Sequence, residues 1–136
     1  MQKPQEIYFF GTCLIDLLYP QAGLAGMQLI REAGVDVIFP RNQTCCGQPA
    51  FNSGYRHEAL DVARALLGCF PRDIPLVVPS GSCAGMLKQH WPELFAGEVD
   101  EAEARAVAAR TYELTEFLDK VLQIELRDLG APTRVA

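Results

Sequence analysis

The cysteines of this chain form a pattern that any fold of it has to accommodate. Cys45 and Cys46 are adjacent and precede Gly47; 31 residues separate Cys13 from the pair, and 36 separate the pair from Cys83. Neighbouring side chains rarely both point into one core, so two adjacent structural cysteines would be unusual. Thiolate sulfur is a soft ligand that suits iron–sulfur clusters, zinc or copper(I). The pattern therefore predicts a fold that gathers distant loops around a thiolate-bound cofactor.

Composition is that of an ordinary globular domain. The chain has 136 residues, 49% of them apolar and 21% charged, and a net charge of -5. That charge and the scattered Lys and Arg residues argue against nucleic acid as a partner, because phosphate binding needs a concentrated basic surface. No stretch approaches the ~20 apolar residues of a membrane span. The N-terminus lacks the regions of a signal peptide, so we expect a cytoplasmic location.

Strand-like and helix-like segments alternate along the chain. Strand-like runs are short, apolar and bounded by Gly or Pro, and the helix-like segments have apolar residues three or four apart. Predicted strands lie within residues 7–14, 35–39 and 74–79, and predicted helices at 20–33, 55–70, 83–90 and 101–126. The polar stretch 42–54, which holds the cysteine pair, is predicted to be a loop.

This order predicts an α/β fold: three layers, with a small parallel sheet of about three to four strands flanked by helices. In open α/β sheets, sites form outside the carboxyl ends of the strands. Cys13 and Cys83 each come just after a predicted strand, and the pair follows the second strand. We therefore expect the cysteine loops to converge at the carboxyl edge of the sheet.

Four motifs follow one another along the chain: residues 11–16 (GTCLID), 44–55 (TCCGQPAFNSGY), 79–83 (PSGSC) and 111–117 (TYELTEF). In this order they resemble the cysteine-rich CCG domain. That domain occurs in heterodisulfide reductases, in the iron–sulfur component of glycolate oxidase and in lactate-utilisation iron–sulfur proteins, and the likeness is greatest to the N-terminal half of proteins of the lactate-utilisation branch. Met86 stands where the family has its last cysteine.

The resemblance implies a site, a cofactor and partners. Residues 1–136 would form one CCG domain, corresponding to the N-terminal half of a protein with two such domains. Cys13, Cys45, Cys46 and Cys83 would bind an iron–sulfur cluster, and no residue is assigned a catalytic role. The chain would carry electrons in a complex that oxidises L-lactate or glycolate, beside the other subunits and the second CCG half. It contains no nicotinamide or phosphate-loop motif, so the organic redox step would belong to a partner.

Two alternatives of a different class remain open from the residues. Four cysteines also match a structural zinc site, which contributes folding energy. Alternatively, Cys45 and Cys46 could be a thiol–disulfide redox pair.

Other residues near the motifs are given structural roles. Cys69 lies outside the cysteine pattern and is expected in the core, and Met86 is expected to pack beneath the loop. His57 and His90 are assigned to the surface or to the surroundings of the site. Asp16 is expected to cap a helix, in preference to orienting the site. The apolar stripe around Tyr112 and Phe117 is interpreted as core or as an interface, where exposure would favour a homodimer.

Overall fold

The computed structural model describes residues 2–125, 127 and 130–135 and has an α/β fold. Its four strands are β1 (Glu6–Phe9), β2 (Asp36–Ile38), β3 (Leu76–Val78) and β4 (Thr111–Glu113). They form one sheet in the order β2-β1-β3-β4, and all pairs are parallel. The predicted class, a small parallel sheet flanked by helices, is confirmed.

Helices connect the strands and cover both faces of the sheet. Short π-helical turns continue two of the helices. The helical elements are α1 (Cys13–Leu18), α2 (Pro20–Glu32), α3 (Gln48–Asn52), α4 (Arg56–Leu67), α5 (Gly81–Gly85) with the π turn Met86–His90, α6 (Trp91–Leu94), α7 (Glu101–Ala109), and α8 (Leu114–Glu116) with the π turn Phe117–Val121. No helix in the described part of the chain is long and apolar enough to cross a membrane.

The sheet separates two hydrophobic cores, because successive side chains of a strand point to opposite faces. Tyr8 and Leu76 belong to the core that includes residues of α4 to α7. Phe9 and Val77 belong to the core formed with α2 and the π turn Phe117–Val121. Side chains on both faces of β1 and β3 are therefore buried, which explains why these strands are continuous apolar runs in the sequence.

The prediction of one helix over 101–126 is wrong. The chain forms α7, crosses the sheet edge as β4 and begins a new helix at Leu114; residues 126, 128 and 129 lie outside the described part. The apolar residues of this segment belong to different cores, with Val107 on one face of the sheet and Phe117 on the other. A straight helix cannot reach both faces, whereas a strand pairing with β3 can pass between them.

The stripe around Tyr112 and Phe117 is core. Phe117 is fully buried, and the half-buried Tyr112 lies edge-on to it with ring centroids 5.7 Å apart. A capping box starts the helix that carries Phe117: the Glu113 side chain accepts from the Glu116 backbone N–H, and the Glu116 side chain accepts from the Glu113 backbone N–H. The buried residues of the stripe, Phe117, Leu118 and Val121, thus pack within this chain.

Three other predicted boundaries change. The helix after β3 passes through Trp91 and Pro92, where the sequence predicted its end. A proline inside a helix lacks an N–H and crowds the preceding turn, and the wider π turn just before it relieves this crowding. In that turn the Trp91 N–H donates to the Met86 carbonyl, five residues earlier. A short helix also forms at α3, within the stretch 42–54 that was predicted to be a loop, and α1 begins inside the predicted 7–14 segment.

We expect Phe117→Ala to lower the free energy of unfolding by about 3–5 kcal/mol, because it removes a fully buried aromatic side chain and leaves a cavity. Urea unfolding followed by circular dichroism measures this loss. Leu17→Ala is the control: Leu17 is 78% exposed, and its truncation is expected to change stability by no more than about 0.5 kcal/mol. Similar losses in the two variants would contradict the assignment of Phe117 to the core.

Candidate functional site

The carboxyl ends of three neighbouring strands bring the four motif cysteines to one edge of the sheet. Cys13 is the first residue of α1, four residues after β1 ends. Cys45 and Cys46 lie in the loop between β2 and α3, and Cys83 lies in α5, shortly after β3. Because β2, β1 and β3 are adjacent and parallel, their following loops meet at the same edge.

The four thiols interact as two neighbouring pairs. Cys13 Sγ lies 3.9 Å from Cys45 Sγ. Cys46 and Cys83 are close enough for hydrogen bonding between their thiols to raise the pKa of Cys46 and to lower the pKa of Cys83. The pairs are also near each other, since the charge of Cys83 acts on both Cys13 and Cys46. The structure thus brings together all four cysteines that the sequence singled out.

Burial differs across the group. Cys46 and Cys83 are buried, with 2% and 8% of their surface exposed, whereas Cys45 is half-buried and Cys13 is exposed. One pair is therefore shielded from water and the other borders the protein surface.

Hydrogen bonds favour the charged form of one thiol and disfavour that of its neighbour. The bond from Cys46, together with bonds from the Ser80 and Ser82 hydroxyls, lowers the pKa of Cys83 to about 6 in spite of burial. The same bond to Cys83 and burial raise the pKa of Cys46, although the Gln48 backbone N–H opposes this. Of this pair, Cys83 is therefore the thiol whose thiolate form, the form that binds metals, is favoured.

Cys13 follows a residue with an uncommon backbone conformation. Thr12 has φ 63° and ψ 152°, a region that β-branched residues rarely adopt. Thr12 is buried, and its Oγ1 accepts a hydrogen bond of 3.2 Å from the Ile15 N–H. Thr12 is thus the N-cap of α1, and the prediction that Asp16 caps a helix is wrong, because Asp16 lies inside the first turn. The chain turns at Thr12 through this uncommon conformation, and Cys13 becomes the first residue of α1.

A glutamine that the sequence reasoning missed joins two of the cysteine loops. Gln43 Nε2 donates to the Phe9 carbonyl at 2.7 Å, and its Oε1 accepts from the Gly11 N–H at 3.0 Å. The side-chain amide thus bonds to the backbone on both its donor and its acceptor sides, and it ties the loop after β2 to the end of β1. Its only sequence signal is a position two residues before the pair, which does not separate it from other polar loop residues.

Gly47 and Trp91 hold the cysteine pair from the other side. Gly47 has φ 90°, and a Cβ there would lie 2.9 Å from the Ala59 carbonyl oxygen in α4. The indole Nε1 of the fully buried Trp91 donates to the Cys46 carbonyl at 3.2 Å. Glycine after the pair is therefore required by the close approach of α4 as well as by the turn.

Residues outside the motif take the structural roles expected for them. Cys69 is buried in the core, and its Sγ contacts the carbonyls of Asn42 and Ala65. Met86 is fully buried in the same core. His57 is exposed, and His90 stacks on the ring of Phe51 with centroids 4.9 Å apart.

Thiolate donors fit a thiophilic metal or cluster, but they do not form a closed single-ion site. Among the residues that the structure describes, no three His, Cys, Asp or Glu side chains are spaced to hold one metal ion. The arrangement in two pairs agrees with this result.

Comparison with known proteins identifies the family. The model of the CCG cysteine-rich domain matches residues 7–88, which include all four motif cysteines. The chain belongs to this family. It is 49% identical over 127 residues to lactate utilization protein A of Geobacillus kaustophilus strain HTA426, covering 93% of this chain and 52% of that protein. It is 43% identical over 118 residues to lactate utilization protein A 2 of Bacillus cereus strain 03BB102, covering 86% of this chain and 49% of that protein.

This CCG-domain chain therefore spans about half the length of the curated relatives it matches. No solved structure matches the chain.

We expect Gly47→Ala to destabilise the chain by about 2 kcal/mol, because alanine is strained at this φ and its Cβ meets the Ala59 carbonyl. Urea unfolding measures the loss, and the rate at which a thiol reagent modifies the cysteines reports whether the loop has opened. Gly85→Ala is the matched control, since a Cβ there meets nothing within 4 Å. Equal stability of the two variants would show that Gly47 is not required at this position.

Proposed function

We propose that Cys13, Cys45, Cys46 and Cys83 bind an iron–sulfur cluster, and that the chain transfers electrons within a system that oxidises L-lactate to pyruvate. The observation that carries this proposal is the convergence of four thiols, from three separate loops, at one sheet edge of a CCG domain. Lactate, in preference to glycolate or another 2-hydroxy acid, is supported by the names of the relatives.

Residues of this chain would hold such a cluster and adjust its environment. When bound, it would supply the capacity to accept and release single electrons. Hydrogen bonds from Ser80 and Ser82 to the Cys83 sulfur, and from the Gln48 N–H to Cys46, place positive dipoles at two of the ligands. Such bonds stabilise added negative charge and so raise a reduction potential. Burial of Cys46 and Cys83 limits the access of water.

The arrangement of the thiols gives less support to the two alternatives. A structural zinc ion needs four sulfurs around one centre at about 2.3 Å, and no three potential ligands among the described residues are spaced for one ion. A vicinal redox pair would use Cys45 with Cys46, but each of these contacts a different cysteine, Cys13 and Cys83 respectively. Two separate thiol pairs favour a larger, polynuclear group.

The organic step is assigned to a partner. The sequence has no dinucleotide-binding or phosphate-loop motif with which to hold a hydride acceptor. Other subunits of the lactate oxidation system, and the further part of the chain that the relatives possess, are therefore proposed to complete the activity. The isolated chain would transfer electrons but would not oxidise lactate.

Anaerobic purification from iron-supplemented cells, with metal and acid-labile sulfide analysis, tests the cofactor. We expect iron and sulfide in comparable amounts and a broad visible absorption, because four thiolates are the usual ligand set of such clusters. Zinc without sulfide would contradict the proposal and support a structural site. Absence of both, after reconstitution with iron and sulfide, would also contradict cluster binding by this chain.

Single cysteine variants test the ligand set. We expect Cys46→Ser and Cys83→Ser to lower the iron content at least tenfold, because each removes a proposed thiolate ligand. Mutation of a group that only orients a metal ligand typically lowers metal affinity ~10–100-fold, and loss of the ligand itself should cost at least as much. Cys69→Ser is the matched control and is expected to keep the iron, since Cys69 packs in the core. Equal iron loss in the Cys69 and Cys46 variants, with circular dichroism unchanged in both, would remove the basis for this ligand set.

A further inference from the structure

An apolar surface lies beside the exposed end of the cysteine site. Eight large apolar side chains in the described part of the chain expose more than half of their surface, and five of them fall within residues 14–24. We call these five the α1–α2 face: Leu14, Leu17, Leu18, Tyr19 and Leu24. A contiguous exposed apolar patch on the order of several hundred Å² is typical of an interaction site. The face begins immediately after Cys13, the most exposed of the four motif cysteines.

A groove of about 400 Å³ borders this face. Its walls include Leu24, Met27 and Phe39, together with Arg31 and Arg41. A smaller groove of about 260 Å³ shares Phe39 and Arg41 with it and is lined by Cys13 and Cys45. The apolar surface therefore leads directly to the candidate site.

The two arginines in the groove differ from the other cations within residues 2–125. Ten Lys and Arg residues lie within residues 2–125, and eight of them bond to a carboxylate or to a backbone carbonyl of the described residues. The two that have no such bond within that part of the chain are Arg31 and Arg41. Both line the same apolar groove, so within residues 2–125 the positive charge that has no such bond lies where the apolar surface is exposed.

This combination favours a protein surface as the occupant. Arginine and aromatic residues are enriched in protein interfaces, and a carboxylate can accept two hydrogen bonds from one guanidinium. A small carboxylate could fill the groove, but it would leave the leucines of α1 in water. Weak redox complexes commonly bury less than about 1,200 Å², so a partner of this kind does not need a large interface.

Two other occupants fit the charges less well. A second copy of this chain would bring two more arginines to the interface and only Asp16 of the same groove to balance them. Proteins bind anionic membranes through clusters of about four to eight basic residues. This groove is lined by only two basic residues, Arg31 and Arg41, and by the acidic Asp16, so its charge fits a membrane surface poorly.

We propose that the α1–α2 face and the Arg31–Arg41 groove form the docking surface for a separate protein that exchanges electrons with this chain. Its contact surface is apolar and carries carboxylates that bond to the two arginines. The inference deepens the proposed function and rests on it for the nature of the partner. The docking surface itself is inferred from the exposed apolar residues of the face and from Arg31 and Arg41, which have no bond to a carboxylate or carbonyl within residues 2–125.

Site-specific photo-crosslinking in the cells that naturally make the protein tests this surface. A benzophenone amino acid replaces Leu17 on the face or, as the control, Val99, which is 99% exposed and outside it. We expect at least ten times more adduct from position 17, and mass spectrometry should map the partner peptide to an apolar segment with Asp or Glu. Charge reversal by Arg31→Glu with Arg41→Glu should lower the adduct at least tenfold, because like charges across an interface cost several kcal/mol.

Arg105→Glu is the matched control for charge. Arg105 is exposed on α7, and its reversal is expected to leave the adduct unchanged. Equal adducts from positions 17 and 99, insensitivity to the Arg31 and Arg41 reversal, or an adduct only with this same chain would each overturn the proposal. Binding of the purified chain to phosphatidylglycerol vesicles, lost in the Arg31 and Arg41 variant, would overturn it in favour of a membrane surface.

Iron content separates this proposal from the proposed function. The Arg31 and Arg41 variant should keep the iron content of the unchanged chain, since neither arginine is a thiol ligand. Loss of the adduct with iron retained supports the docking surface. An adduct with the expected properties on a chain without iron would leave the docking surface intact and contradict the electron-transfer function.

Discussion

Parallel pairing of β1 with β2 on one side and with β3 on the other places every candidate ligand of this chain. The registers pair Tyr8 with Ile38 and with Leu76, so the strands end near the same level. Three chain segments that are distant in sequence then leave the sheet together. Without this pairing the four cysteines would be independent thiols, since only two of them are neighbours in the chain.

The loops at this edge are held by contacts that are not part of the sheet. Gln43 joins the loop after β2 to the end of β1, and Trp91 bonds to the backbone of the cysteine pair. Thr12 and Gly47 adopt left-handed φ values directly beside Cys13 and Cys46. Uncommon backbone conformations cost free energy and persist where the surrounding packing over-determines them. Here they accompany the candidate ligands on both sides of the site.

The site is asymmetric, and this asymmetry connects the two proposals. Cys46 and Cys83 lie beneath the surface, where hydrogen bonds and burial act on the sulfurs. Cys13 lies at the surface and adjoins the apolar face of α1 and α2. A shielded half suits the holding of a cofactor, and an open half suits the approach of a partner. Arg31 and Arg41, which have no bond to a carboxylate or carbonyl within residues 2–125, lie on the open side, in a groove that leads to Cys13.

Local sequence pattern was sufficient to predict the class of fold and three of the four strands, because buried strands and helix faces have strong periodic signals. The convergence of the cysteine loops followed from the parallel sheet that those elements predict. It also singled out the cysteines that the sheet brings together. Only tertiary structure decided that residues 101–126 are interrupted by β4, because the choice between helix and strand there depends on the free edge of β3. Packing in three dimensions likewise decided the roles of Gln43 and Trp91, the pairing of the thiols and the exposure of the α1–α2 face. These features depend on contacts between residues far apart in the chain, which leave no periodic trace in the sequence.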